Sequence, residues 1–252
     1  MTKPSRAQKA VKRAKGFLIQ DEGKELEFSN HEFNPRDYYG AIEETKRKGL
    51  FVPPAELLAN LIYETINPEN KQNLVLVFQA MLWNRIWIFN RNLWTREGVY
   101  VIDDSKGEFP ERIDRAELEN ILSRGRIVDE IRFSHDNSLR FAPRGTYQLG
   151  NQRSLWRNGF IVATYGERWA KKLDELEKLS RKNGLFRYGP VVEGIRIKKG
   201  EREVLTASSI ELGGDSTLVF HGEESLYENN HLFALSTPYT PKRTDLKKPA
   251  NT

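Results

Sequence analysis

Cysteine is absent from this chain, and its 252 residues include only two methionines and four histidines. The first absence removes disulfide frameworks, thiolate metal sites and cysteine nucleophiles together, and makes the cytoplasm the expected compartment. His31, His135, His221 and His231 are too dispersed for a zinc-binding run. His221 and His231 would meet only across a hairpin, with Glu223 or Glu224 beside them, against the commoner fate of a histidine in a surface turn. Long apolar runs are also missing: the richest stretch, Leu74 to Phe89, is broken by Gln79, Asn84 and Arg85, so no membrane span is expected. The basic first residues are followed by no apolar run or small-residue cleavage site, which argues against a secretory signal. Glycine-rich nucleotide loops and the nucleophile elbow of hydrolases do not occur. No cofactor is therefore implied and no catalytic residue can be named, and the reading leans to a binding protein rather than an enzyme.

What is present suffices for a folded body. Hydrophobic residues make up 38% and aromatics 11% of the chain, enough apolar surface to offset the entropy of ordering it without metals or disulfides. Asn34-Pro35-Arg36-Asp37 starts a helix that Gly49 ends, and Pro53-Pro54 starts a second, with Leu57, Leu58, Leu61, Ile62 and Ile66 as its core stripe. Leu74 to Phe78 is read as a third. From Arg85 the period changes to two, giving a hairpin from RIWIFNR and GVYVIDD. Asp114 and Glu117 form a capping box for a helix closed by Gly125, and a second hairpin follows from IVDEIRFS and SLRFAP. Phe160 to Tyr165 reads as a strand turning at Gly166 into a helix through Trp169, Leu173, Leu176 and Leu179. GIRIKK, EVLTASSIEL, STLVFHG and HLFALS then suggest an antiparallel meander. The expected class is α+β, with helices mainly in the N-terminal half and an antiparallel sheet in a strand-rich C-terminal half. Residues 18–236 would form a single globular domain, with either a sub-boundary or a long surface loop near 143–158.

The net charge of +5 is unevenly placed. Residues 1–17 carry Lys3, Arg6, Lys9, Lys12, Arg13 and Lys15 without an acid, and 237–252 carry four cations against Asp245. The remaining middle holds 30 basic and 34 acidic residues, so only the ends are basic. Both are read as flexible basic tails, able to attract a polyanion by counterion release or simply to solubilise the chain.

Several constellations compete for a role. In a strand, Arg85, Trp87, Phe89 and Arg91 share one face, where the rings could stack unpaired bases and the arginines hold phosphates; the alternative is that both faces are buried. Asp103-Asp104-Ser105-Lys106 resembles the acid and lysine spacing of metal-dependent nucleases, though a turn explains it as well. Gly166 before a helix start would let backbone N–H groups face an anion. The Phe141 to Tyr165 region, with Tyr147, Trp156, Arg144, Arg153 and Arg157, is either a recognition surface or a loop pinned to the core. Together these lead to the expectation of a non-catalytic nucleic-acid-associated protein, for RNA or single-stranded DNA. Its binding residues would be Lys3, Arg6, Lys9, Lys12, Arg13, Lys15, Arg85, Trp87, Phe89 and Arg91. A protein-interaction module and a metal-dependent hydrolase are the alternatives.

Overall fold

The computed structural model describes residues 16–21, 23–29, 37–66, 77, 79, 81–82, 84–106, 109–214, 217–227, 232–236 and 238–239. Two sheets and four complete helices make up an α+β fold among these residues. Strands β1 (Gly16–Asp21) and β2 (Lys24–Ser29) form a hairpin. Helix α1 (Tyr38–Arg47) is capped by Asp37, whose side chain accepts from the Gly40 N–H at 2.7 Å. Asn34 to Arg36, read as the helix start, lie outside the described residues. Helix α2 (Ala55–Ile66) buries Leu57, Leu58, Leu61, Ile62 and Ile66, each such side chain contributing roughly 1.5 to 3 kcal/mol. Val77, Gln79, Met81 and Leu82 are helical, in keeping with the helix reading of that stretch.

Strand β3 (Ile86–Trp94) is the centre of the molecule and is buried along its whole length. It turns through Thr95 to Glu97 into β4 (Gly98–Asp103). Helix α3 (Arg115–Ser123) has Asp114 as its cap, as its sequence implies. IVDEIRFS contains a hairpin of its own. β5 (Arg126–Val128) and β6 (Ile131–Phe133) are joined by Asp129 and Glu130, both with positive φ, and β7 (Leu139–Pro143) pairs next to them. After the short β8 (Gly150–Asn151) comes α4 (Gly159–Lys182), then β9 (Val191–Glu193), β10 (Val204–Leu212), β11 (Leu218–Glu224) and β12 (Ala234–Leu235).

The large sheet runs β5-β6-β7-β4-β3-β10-β11-β9-β8, and the small one β1-β2-β12. A plain meander is overturned by two features. β10 returns to pair with β3, and β9 lies parallel to β11, while most of GIRIKK is irregular. The core extends from Ile19 to Leu235 across both sheets, with α4 packed on α2, so residues before and after 143–158 share it.

Phe160 to Tyr165 is helix, not strand. Asn158 caps it by accepting from the Phe160 and Ile161 N–H groups at 3.1 and 3.4 Å, and this signal outweighs the β-branched run behind it. Gly166, at φ +76°, kinks the helix instead of starting it, which removes the anion site read there. The kink frees carbonyls of the preceding turn. Arg140 Nη1 donates to Ala163 O at 2.9 Å and Thr164 O at 2.8 Å, while its Nη2 pairs with Glu56.

The described residues reach into both segments read as tails. Gly16 and Phe17 belong to β1, and the Tyr239 hydroxyl donates to Asp21 Oδ2 at 3.0 Å. The basic residues Lys3 to Lys15 and Lys242 to Lys248 lie outside the described residues.

Candidate metal centre

One row of side chains crosses four strands. Trp87 on β3 pairs with Ser209 on β10, Ser209 with His221 on β11, and His221 with Glu193 on β9, so all four share a face. A bulge follows on β11: Ala207 pairs with Glu224 although Ser209 pairs with His221, so β11 spends one extra residue over that span. The extra residue turns Glu224 to the His221 side. Gly222 holds the bulge in place. Its carbonyl accepts from Trp94 Nε1 at 2.8 Å, Thr206 Oγ1 at 2.6 Å and Asn92 Nδ2 at 3.1 Å, and a Cβ there would lie 2.5 Å from the Phe160 ring. Only glycine lets the backbone come this close.

His221 is 2% exposed and surrounded by carboxylates. Glu193 Oε2 lies 2.8 Å and Glu224 Oε1 3.6 Å from Nδ1, and Glu211 Oε1 lies 3.3 Å from Nε2. Despite these distances neither ring nitrogen makes a hydrogen bond, because the oxygens lie away from the directions in which an N–H would point. A buried imidazole with both nitrogens unsatisfied is costly and rare in a folded protein. Arg85 bridges the acids, donating to Glu224 Oε1 at 2.6 Å and Glu211 Oε2 at 3.3 Å. Glu223 completes the group at its exposed rim. Partial desolvation and then the neighbouring Glu193 carboxylate hold its carboxyl above the usual carboxylate range. Four carboxylates and one guanidinium are thus linked around one histidine.

Glu193, His221 and Glu223 each offer one ligand atom, all within 4.8 Å of one another. Ligands around a divalent ion bonded at about 2.0 to 2.2 Å sit roughly 3 to 4 Å apart, so a small inward movement of exposed Glu223 and half-exposed Glu193 closes the site. The donor set, one imidazole nitrogen and two carboxylate oxygens, suits first-row ions such as Zn²⁺ or Mn²⁺ better than Mg²⁺ or Ca²⁺. Nδ1, on the Glu193 side, is placed to coordinate. Nε2–H would then lie on the Glu211 side, 3.3 Å from Oε1 and not hydrogen-bonded to it.

The residues expected to bind nucleic acid are placed differently. Arg85, Trp87, Phe89 and Arg91 do lie on one side of β3, but α1 covers it. Tyr38 packs edge-on against Trp87 at 5.1 Å and tilted against Phe89 at 6.1 Å, and all three rings are fully buried. No ring face is left for a base. Arg91, 1% exposed, donates from Nε and Nη2 to the two oxygens of Asp104 and from Nη1 to Pro110 O and Glu111 O. It is a structural ion pair, and Asp104 is committed to it and to the Tyr38 hydroxyl at 2.9 Å. Asp103 is equally buried and accepts from the Ser105 N–H, so the nuclease-like pair faces inward and cannot reach a scissile phosphate.

The Phe141 to Tyr165 region is largely pinned to the core. Phe141, Phe160 and Tyr165 are buried, and half-buried Trp156 carries Arg157 and Lys171 over its ring at 5.1 and 5.7 Å. His231 lies outside the described residues, so the His221–His231 pairing has no structural counterpart here. Glu223 and Glu224 do meet His221, as the hairpin reading allowed. Glu193 and Glu211 were missed, because only the parallel β9 and the β10 register bring them in. The glycine inside H-G-E-E was the available signal of a bulge that gathers polar groups. The chain matches no known family model, no curated protein and no solved structure.

Proposed function

We propose that this is a divalent-metal-binding protein, with Glu193, His221 and Glu223 as ligands and Glu211 beside the other imidazole nitrogen. The observation that carries the reading is the unsatisfied, 2% exposed His221 among carboxylates. Coordination of Nδ1 would give that nitrogen a partner, offset the mutual repulsion of the acids, and fix the tautomer with its proton on Nε2. Glu223 stands at the exposed rim, so three protein ligands would leave room for water on the ion.

Metal analysis of the purified full chain and thermal unfolding with Zn²⁺ or Mn²⁺ against chelator test it. A bound ion at a thousandfold excess over its dissociation constant stabilises by about 4 kcal/mol. The shift should fade as pH falls, because protons compete with the ion for the raised Glu223 carboxyl. A protein purified without metal and unmoved by either ion would end the proposal, and so would a shift that survives in the Glu193→Gln, Glu223→Gln double variant.

A second reading rests on the charge partition, with six cations and no acid in residues 1–17 above a net-acidic middle. It is association with RNA or single-stranded DNA through the basic ends alone. Binding to a labelled oligonucleotide should weaken steeply with salt and on deletion of residues 1–15, and Trp87→Ala should not act through lost stacking. Salt-independent binding, or none, removes it.

A further inference from the structure

At another part of the fold, the turn after β3, the segment after β7 and the segment after β9 enclose a cavity of about 160 Å³. This is close to the volume of an engineered protein cavity that takes one benzene-sized guest. Its lining combines Arg144, Arg196, Tyr147, Gln148 and Thr95 with the apolar Leu149, Ile195 and Ile197, and contains no acid. Both guanidinium groups lie close enough to the Tyr147 phenol to favour its ionised form, against the desolvation that raises it. Arg144 is fixed by donating from Nη1 to Ile197 O at 3.1 Å. Among the described residues Arg196 has no ion-pair partner and the Tyr147 hydroxyl no hydrogen-bond partner. Glu97, the nearest acid along the chain to Thr95, is turned to Arg115 at 3.0 Å and does not line the cavity.

We propose that this cavity binds a phosphate monoester, with the phosphate between Arg144 and Arg196, hydrogen-bonded by Tyr147 and Gln148, and a small organic part against Leu149 and Ile195. Two guanidinium forks from separate segments match the charge and the three free oxygens of a monoester dianion, whereas a carboxylate would be satisfied by one of them. The volume admits the phosphate and only part of an organic group, the rest of which would lie outside the cavity. The ester can therefore be a free small molecule or the terminal 5′-phosphate of a nucleic acid strand, and both present the same group.

Calorimetric titration of the full chain with phenyl phosphate is the test, with sodium acetate at matched ionic strength as the control. Saturable binding should weaken about tenfold to hundredfold in Arg196→Gln, the loss expected of one charge-assisted contact. Arg196 is exposed and has no ion-pair partner among the described residues, and an unchanged melting temperature of the variant checks that folding is intact. Tyr147→Phe should weaken binding several-fold. A 5′-phosphorylated oligonucleotide that binds more tightly than its 5′-hydroxyl counterpart, with the difference lost in Arg196→Gln, would identify a strand end as the source. A preference for phenyl phosphate would identify a free metabolite. No saturation by either phosphate ligand, equal binding of acetate, or affinity unchanged in Arg196→Gln would overturn the proposal.

Discussion

Two groups of buried charge lie on this fold, and they are built on opposite principles. Around Arg91 and Arg140 each guanidinium meets a carboxylate and backbone carbonyls: Arg91 holds Asp104 and the Pro110 and Glu111 carbonyls, and Arg140 holds Glu56 and the carbonyls freed at the Gly166 kink. Around His221 the acids outnumber the cations, and the one fully buried ring has no hydrogen bond at either nitrogen. The first group is complete within the chain, as structural ion pairs must be if they are not to cost stability. The second has Arg85 as its one guanidinium and leaves both nitrogens of His221 without a hydrogen bond. Burial alone therefore does not separate a scaffold from a site, whereas the balance of partners does.

The comparison breaks most visibly if one partner of the complete group is removed. Arg91→Leu leaves Asp104 buried with the Tyr38 hydroxyl and the weaker influence of the Lys46 charge, and should cost about 3 to 5 kcal/mol in urea unfolding. A loss below 1 kcal/mol would mean that the pair is not the strut described here. Gly222→Ala comes next, at about 1 to 3 kcal/mol, since its methyl group would overlap the Phe160 and Trp94 rings. It should also weaken metal binding by moving His221 against Glu224. The incomplete group should respond in the other direction. Glu193→Gln removes one of several repelling carboxylates, so the metal-free protein should keep its stability or gain up to about 1 kcal/mol while the metal-induced shift is lost. Equal destabilisation of the metal-free protein would make Glu193 a structural partner of His221 instead.

The helices and strands were legible where local signals agree: the stripe of α2, the Asp114 cap of α3, and the alternation of β3, β10 and β11. Phe160 to Tyr165 reads as a strand from its β-branched run alone, whereas the Asn158 cap ahead of it makes the segment a helix. The side-chain alternation of Arg85 to Arg91 was read correctly, and its exposure was not. Period two says which residues share a face but not what covers that face, and α1, some 40 residues earlier, supplies the cover. The metal centre was half visible for the same reason. His221, Glu223 and Glu224 are neighbours in sequence, whereas Glu193 and Glu211 arrive through strand pairing, and one of those pairings is parallel and not implied by any hairpin.

A further variant sharpens the boundary between the two groups, because Asp103, an acid beside the complete group, is itself imperfectly matched. Asp103 is fully buried beside β7, and burial, followed by the nearby Glu56 carboxylate, raises its carboxyl to about 6, with Arg140 pulling the other way. A carboxyl raised on folding favours the folded state most when it is protonated. Its contribution is therefore fully present below the unfolded value near 4 and is lost as pH rises through about 6. Asp103→Asn keeps the oxygen that accepts from the Ser105 N–H but removes the ionisation. The variant should match the parent near pH 4 and be more stable at pH 7, by roughly 1 to 3 kcal/mol. Urea midpoints measured across that range check the difference. If the variant is instead less stable at pH 7, the ionised Asp103 is stabilised by Arg140 more than burial penalises it, and the acid belongs with the matched pairs.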